Sequence, residues 1–379
     1  MVNMADIDKF SQNELIRYSR HLTLPNFGIE GQAKLKQAKV LVVGAGGLGS
    51  PLLLYLAAAG VGTIGIVEFD DIELSNLHRQ VLYTEDDIGK PKLETAYSRL
   101  RELNPHIAFK LYEEELTAHN ALEILKGYDV VADGTDNFPS RYLVNDACVL
   151  LDIPNVYASI YRFEGQVSVF NYVDSEGERG PNYRDLFPQP PPPKMVPNCA
   201  EGGVLGVLAG IIGSLQASEV IKVITGLGTT LSGRLFIIDT LSFETRTVKL
   251  QKTVPEVEIK ELIDYEEFCG VKSSKMPFAL KEVTAQELKG IIKNNNEMQL
   301  IDVRTDFEHH ISNIGGDLIP LEDLVNHVEE ISRTKQVVMY CRVGVRSMEA
   351  ILHLQSVYNF TNLYNLKGGI SAWNMEVGG

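Results

Sequence analysis

The chain has 379 residues, 44% of them hydrophobic, which is too long for one ordinary domain and ample for two packed cores. Its formal net charge of −15 argues against a general nucleic-acid binder, which needs a basic face. Its four cysteines (Cys148, Cys199, Cys269, Cys341) show no CxxC spacing, and no apolar segment stands near the N-terminus, so we expect a cytoplasmic protein with thiols rather than disulfides.

Residues 39–43, KVLVV, form a short β-branched run that ends in Gly44-Ala45-Gly46-Gly47-Leu48-Gly49. The stretch PLLLYLAAAG reads as a helix and TIGIVEF as a second strand. Strand, glycine turn, helix and strand make the βαβ unit of a doubly wound, Rossmann-like sheet. Gly44, Gly46 and Gly49 match G-x-G-x-x-G, with Gly47 inside it. Such a turn lets backbone N–H groups approach phosphate at the positive end of a helix. Glu68 ends the second strand, where an acid grips ribose hydroxyls. A nicotinamide-dependent oxidoreductase reads the same up to this point.

Ser75-Asn76-Leu77-His78-Arg79-Gln80 separates the two readings. Arg79 suits a fork onto phosphate oxygens and Asn76 a bond to ribose or phosphate. PKLETAYSRLREL reads as a helix with Pro91 in its first turn and Lys92 beside it. A lysine there opposes the helix dipole, which favours a phosphate contact over a solvated charge. YDVVADGTDN is a strand running into a loop, and Asp136 at its carboxyl end is placed to hold Mg²⁺. The alternative for Asp136 is a cap on the helix starting near Phe138. PNVYASI and GQVSVFNYV read as later strands, and RLFIIDTLSFETRTVKL as a hairpin. Residues 187–197, FPQPPPPKMVP, cannot be regular structure. The apolar run 204–217 is shorter than the ~18 residues of a membrane span, so it reads as a core or interface helix. Residues 251–280 read as a linker, after which TAQELKGII, MQLIDV, QVVMYC and RSMEAILHL begin a smaller α/β unit at 281–379.

The segments RYSRH, GAGGLGS, SNLHRQ, GKPK and GTDN resemble the adenylation domain of the molybdopterin-synthase adenylyltransferase and ThiF family, bacterial relatives of ubiquitin-activating enzymes. The resemblance covers roughly residues 10–250, and the domain is placed at 1–250. It implies a mixed, doubly wound sheet that binds ATP and Mg²⁺. Gly44, Gly46, Gly47, Gly49, Glu68, Asp70, Ser75, Asn76, Leu77, His78, Arg79, Lys92, Asp136 and Asn137 would surround the nucleotide, with Asp136 on the metal. It further implies that Arg20 reaches into a partner subunit's site, which makes the active form a homodimer; the plain reading of Arg20 is a surface charge. Many relatives carry two CxxC pairs that bind structural zinc. Here Pro181-Asn182-Tyr183-Arg184-Asp185 stands where the first pair belongs, so no zinc is expected.

Two thiols stand out. Cys199 precedes an apolar helix, where a thiol can act as a nucleophile, and in fused relatives the matching cysteine is proposed to link to the carrier. Cys341 ends QVVMYC and opens Arg342-Val343-Gly344-Val345-Arg346-Ser347. This loop, with IDVRTDFEHH and LKGGISAW, resembles the active loop of rhodanese-type sulfurtransferases. The loop would hold an anionic sulfur in backbone N–H groups, with Arg342 and Arg346 adding positive charge, and Cys341 would carry a persulfide. The phosphatases of that fold need C-x₅-R, whereas the arginine here follows at C-x₄-R. His309-His310 reads as a solvated turn, Cys148 as core, Cys269 as an incidental linker residue and Gly378-Gly379 as a frayed end. The combined expectation is an adenylyltransferase fused to a sulfurtransferase. Its partners would be a small ubiquitin-like carrier ending in Gly-Gly and a persulfide donor, with no nucleic acid and no membrane. The carrier's pathway stays open between molybdopterin, thiamine and tRNA thiolation. A conjugation activator, a nicotinamide oxidoreductase and a non-catalytic docking module are the competing classes.

Overall fold

The computed structural model describes residues 4–190, 203–254, 257–270, 280–293 and 297–377. The chain divides into two compact units, Met1–Lys272 and Ser273–Gly379. Cys199 lies outside the described residues, as do Gly378 and Gly379.

The first unit is built on eight strands: β1 (Lys39–Val43), β2 (Thr63–Val67), β3 (Ala108–Tyr112), β4 (Val130–Asp133), β5 (Asn155–Tyr161), β6 (Glu164–Phe170), β7 (Arg234–Asp239) and β8 (Thr245–Lys249). Their order is β3-β2-β1-β4-β5-β6-β7-β8. The first five are parallel and the remaining pairings antiparallel. β1, β2 and β4 are apolar on both faces, as parallel strands covered on both sides must be. On one face Leu52, Leu53 and Leu56 of helix Gly49–Ala59, Leu93 and Leu100 of helix Lys92–Leu103, and Val220 of helix Gly206–Thr225 pack on Val40, Val42, Ile64 and Ile66. On the other, helix Phe138–Leu151 covers Leu41, Val131 and Tyr157. Chain order reverses between β1 and β4, which is the switch point where a doubly wound sheet binds ligands.

The apolar run at 204–217 lies, as read, in a helix that continues beyond it, Gly206–Thr225, whose 20 residues are long and apolar enough to cross a membrane. Its Leu208, Ala209, Ile212, Gln216 and Val220 are nevertheless buried in this unit. Part of the expected linker is packed structure. Tyr265 and Cys269 sit in the first unit's core, and Thr253 donates through N–H and Oγ1 to Asp185 Oδ1 at 2.7 and 2.9 Å. Cys269 is therefore not incidental, and burial pushes its thiol up to about 11. Strand β3 was not expected, because its alternation of Phe109 and Leu111 with Lys110 and exposed Ala108 marks a half-covered edge strand.

The second unit is a parallel sheet of β9 (Glu282–Val283), β10 (Met298–Asp302), β11 (Asp317–Leu318), β12 (Gln336–Tyr340) and β13 (Leu363–Leu366), in the order β11-β10-β12-β13-β9. Central β12 is buried almost throughout, and helix Val345–Tyr358 packs its Ala350, Ile351 and Leu354 beside Val337 and Met339.

Candidate functional site

The glycine turn closes the carboxyl end of β1 against that of β4. Gly44 N–H donates to Val67 O, and Gly134 N–H to Val43 O, both at 2.9 Å. Gly44 has φ +92°, and a Cβ there would lie 3.2 Å from Gly134 O. A Cβ on Gly49 would fall 2.0 Å from Gly44 O, so only glycine lets the helix start this close to the strand. No side chain caps helix Gly49–Ala59, and its positive end faces the turn. Gly46 and Gly47 face the next motif: a Cβ on Gly47 would be 3.4 Å from Arg79 Cγ, and one on Gly46 3.6 Å from Gln80 Nε2. The Ser75–Gln80 segment therefore lies against the turn. Asn76 is buried and accepts from Glu73 N–H at 3.1 Å, while Arg79 Nη1 donates to Ser75 O at 3.0 Å. His78 Nδ1 stands 3.1 Å from Ser75 O. A Cβ on Gly206 would be 2.3 Å from His78 O, so the start of helix Gly206–Thr225 backs the segment.

Glu68 is buried at the end of β2 and already has backbone donors. Its Oε2 accepts from Ala45 N–H at 2.9 Å; Oε1 accepts from Phe69 and Asp70 N–H at 2.9 and 3.0 Å. The carboxylate fastens the glycine turn to β2, and a ribose would share oxygens that the backbone holds. Lys92 is not a solvated lysine. Its side chain is 6% exposed and its Nζ donates to Asp70 Oδ2 at 2.9 Å, while its own N–H donates to Asp70 O. The cap on helix Phe138–Leu151 is Asn137, whose Oδ1 accepts from Ser140 N–H at 2.9 Å. Asp136 is thus relieved of capping and stands exposed, with Asn137 Nδ2 3.5 Å from its Oδ1. Arg20 is exposed on the short helix Ser19–Leu22, and among the described residues no recorded hydrogen bond or ion pair of its side chain joins it to this site.

Three supporting residues had escaped the sequence reading. Tyr83 OH donates to Ala45 O at 2.9 Å, and burial, with Glu68 and Asp70 nearby, pushes its phenol up. Gln216 Nε2 reaches from helix Gly206–Thr225 to Asp133 O and Val156 O, both at 2.8 Å, and so joins β4 to β5. Asp133 is fully buried, its Oδ1 accepting from Thr135 N–H and Oγ1 at 2.9 and 2.6 Å. Among the described residues its Oδ2 has no hydrogen-bond partner, and burial raises the carboxyl above its usual range against the pull of the Thr135 hydroxyl. Only the position of Asp133, one residue before the Gly134 loop, hinted at such a role.

The segment Pro181–Asp185 is fastened by polar side chains. Arg184 donates through Nε and Nη2 to Asp146 Oδ1 and Oδ2 at 2.9 and 2.6 Å, and Tyr265 OH donates to Oδ2 at 2.8 Å. The Arg184 guanidinium also lies 4.8 Å from the Phe268 ring centroid. A cation at this point does not suit the structural zinc of the relatives, which is held by thiolate or imidazole donors.

In the second unit Cys341 follows β12, directly before helix Val345–Tyr358. The cysteine is buried, and Gly344 N–H donates to its Sγ at 3.2 Å. Gly344 caps the helix at φ +95° without a side-chain bond. The segment ending the chain braces the loop: Ile370 N–H donates to Cys341 O at 2.9 Å and Ser371 N–H to Arg342 O at 3.0 Å. Arg342, Val343 and Val345 are exposed around it. Arg346 does not act as an open charge beside the thiol. Its Nη1 and Nη2 donate to Glu308 Oε2 and Oε1 at 2.7 and 2.6 Å. Burial would raise the Glu308 carboxyl, but Arg346 and the Thr305 N–H override it and hold it at about 2. The pattern Thr305-x-x-Glu308 is a capping-box signal that the sequence carried. His309 is not a solvated residue either: its Nδ1 lies 2.9 Å from Asp302 Oδ2, in a buried cluster where Arg304 donates to both Asp302 oxygens. Cys148 is core, as expected, and burial pushes its thiol well up.

Comparison with known proteins follows the same division. The sequence pattern of the ThiF family matches residues 18–259, and that of the rhodanese-like domain residues 284–376. The chain is 48% identical over 373 residues to a probable adenylyltransferase/sulfurtransferase MoeZ of Mycobacterium tuberculosis, covering 97% of this chain and 94% of that protein. It is 54% identical over 270 residues to a sulfur carrier protein adenylyltransferase of Thermus thermophilus, covering 70% of this chain and all of that protein. It is 41% identical over 394 residues to the adenylyltransferase and sulfurtransferase MOCS3 of Aedes aegypti, covering 98% of this chain and 89% of that one. Among solved structures, E. coli MccB with succinimide superimposes with a TM-score of 0.53 at 25% identity, covering 62% of this chain and 71% of that one.

Proposed function

The chain belongs to the ThiF family, with a rhodanese-like domain behind its ThiF domain, and from that premise we propose that it adenylates the C-terminal glycine of a small ubiquitin-like sulfur carrier, whose activated end then receives sulfur from Cys341. The observation that carries the reading is the meeting of Arg79 with Gly47 at the switch point, beside an exposed carboxylate, Asp136, at the end of β4. A nicotinamide site needs neither. The names of the relatives, adenylyltransferase and sulfurtransferase, support the same chemistry.

In the first reaction a carrier carboxylate oxygen attacks the α-phosphorus of ATP. One O–P bond forms, the bond to the bridging oxygen breaks, and pyrophosphate leaves with the electron pair. The protein supplies position and positive charge rather than covalent chemistry. The glycine turn offers backbone N–H groups at an uncapped helix start. Arg79 adds a cation over Gly47, and Lys92, held by Asp70, a second at the end of β2. Asp136 is the side chain that would hold Mg²⁺, which neutralises phosphate charge when bound. Glu68 and Tyr83 keep Ala45, and so the turn, in its bound shape before the nucleotide arrives. In the second reaction the outer sulfur of a Cys341 persulfide attacks the acyl carbon, the C–O bond to phosphate breaks and AMP leaves, giving an acyl disulfide on Cys341. A thiol reductant then attacks the Cys341 sulfur, the S–S bond breaks and the thiocarboxylate leaves with the electron pair; a second thiol frees the Cys341 thiolate, to which Gly344 N–H donates. A cysteine-desulfurase-type donor would recharge Cys341.

A homodimer fits this reading. Helix Gly206–Thr225 exposes Val207, and His21, Tyr55, Ser214 and Ile221 line a cleft of about 310 Å³ beside it. The segment at 181–185 is held by Arg184 and Asp146, so the reading requires no structural zinc. The free thiols fit a reducing cytoplasm.

The test is one-pot: chain, ATP, a Gly-Gly carrier, a persulfide donor and a thiol reductant, with thiocarboxylate read by mass spectrometry. Wild type forms it and Cys341→Ala does not. Thiocarboxylate at the normal rate from Cys341→Ala sinks the sulfur half.

A further inference from the structure

Ser347 has one hydroxyl proton and two neighbours competing for it. It is fully buried in the first turn of helix Val345–Tyr358. Its Oγ stands 2.6 Å from Asn365 Oδ1 and 3.5 Å from Cys341 Sγ. Asn365, on β13, is 3% exposed. An amide oxygen only accepts, so the Ser347 proton points at Asn365 and a hydroxyl lone pair faces Cys341. That arrangement suits a neutral thiol, whose S–H can donate to Ser347, and opposes a thiolate. A thiolate here has the Gly344 N–H as donor. Among the described residues it gains a second only when the Ser347 hydroxyl turns toward sulfur. A half-turn of the Asn365 amide brings this about: Nδ2 then donates to Ser347 Oγ, and the hydroxyl proton moves onto Sγ. Gly344 leaves space beside the amide, since even a Cβ there would be 3.5 Å from Asn365 Nδ2.

We propose that Ser347 and Asn365 form a two-state hydrogen-bond relay on Cys341, in which Asn365 positions the Ser347 hydroxyl away from the neutral thiol and toward the thiolate that takes up sulfur. The proposal rests on the sulfur-transfer reading of Cys341. With thiosulfate as probe, the thiol proton first leaves to solvent. The thiolate attacks the outer sulfur of thiosulfate, the new S–S bond forms, the old one breaks, and sulfite leaves with its electron pair. Cyanide then attacks the outer sulfur of the persulfide, thiocyanate leaves, and the Cys341 thiolate returns. The Ser347 hydroxyl donates to Sγ whenever it carries the negative charge, as attacking and as leaving group.

The charged groups around the loop are exposed Arg342, Arg346 paired with Glu308, exposed Lys367 beyond β13, and, from β10, Asp302 with Arg304 and His309. From helix Gly369–Glu376 the residue bonded to Cys341 is the uncharged Ile370. Substituting Ser347 or Asn365 removes none of these charges, so a change between variants reports the hydroxyl.

The experiment follows iodoacetamide alkylation of the full chain against pH, quantified by mass spectrometry on the Cys341 peptide. Ser347→Ala is expected to move the midpoint of the rate profile up by about one pH unit, which is about tenfold slower below the midpoint, with the same plateau above it. Asn365→Ala frees the hydroxyl for sulfur and leaves the midpoint at or below that of wild type. An unmoved midpoint in Ser347→Ala overturns the relay, even with a lower plateau, because a packing defect slows every pH alike. So does Asn365→Ala moving up as Ser347→Ala does. Thiosulfate–cyanide transfer by wild type is read separately. Its absence would count against the sulfur reading, while the alkylation profile still decides on the relay.

Discussion

Removing Arg184 tests what fastens the first unit. Its side chain is 9% exposed and that of Asp146 only 1%, and the two share both carboxylate oxygens. Deleting one partner of a buried pair costs ~3–5 kcal/mol, because the other charge stays buried and unpaired. Tyr265 OH and Asn145 Nδ2 would still donate to Asp146, so Arg184→Ala falls at the lower end, about 3 kcal/mol. At ~2–4 °C per kcal/mol for a unit of this size, the first unit's melting temperature drops by roughly 6–12 °C. The assay has an internal control. The single tryptophan, Trp373, lies in the second unit. Circular dichroism should show the early transition of the first unit while Trp373 fluorescence melts at the wild-type temperature. The apolar double variant Arg184→Met with Asp146→Leu should recover most of the loss, since a well-packed apolar pair often equals a buried ion pair. A loss below about 1 kcal/mol for Arg184→Ala would refute the assignment, because no buried charge could then have been left unpaired.

Two further variants follow from the same reasoning. Glu308 is held at about 2 against an ordinary 4.5, so its contribution is present above pH 4.5 and lost as pH falls through about 2. Glu308→Gln should therefore be less stable at neutral pH and show a flatter acid limb in Trp373 fluorescence; an unchanged limb contradicts the pairing. Tyr83→Phe removes the bond to Ala45 O, worth about 1 kcal/mol. The KM for ATP should rise several-fold with kcat nearly unchanged, and an equal fall in kcat with no change in KM would place Tyr83 elsewhere in the reaction.

What the sequence made legible is what neighbours in the chain decide. The KVLVV run, the glycine turn and the helix behind it are local, and they stand as read at β1 and Gly49–Ala59. The split into two units was also visible, since each begins its own alternation of strands and helices. What escaped depends on distant partners. Charged residues 251–270 look like linker until Tyr265 meets Asp146 and Thr253 meets Asp185, across 119 and 68 residues. Arg346 looks like a free cation until Glu308 is folded against it. Glu68 looks like a ribose acid, and only the structure reveals its bonds to Ala45, Phe69 and Asp70 N–H. The sequence offers Asp136 as a cap for the helix at Phe138; the structure caps it with Asn137 and leaves Asp136 exposed.

The central claim is adenylation, and carrier-dependent ATP–pyrophosphate exchange measures it most directly. Wild type should exchange labelled pyrophosphate into ATP only when a small Gly-Gly carrier is present. Asp136→Ala, an exposed substitution that leaves the Asn137 cap in place, should keep the fold and lose the exchange. Absence of exchange by wild type with molybdopterin-, thiamine- and tRNA-thiolation-type carriers alike, or full exchange by Asp136→Ala, would contradict the account.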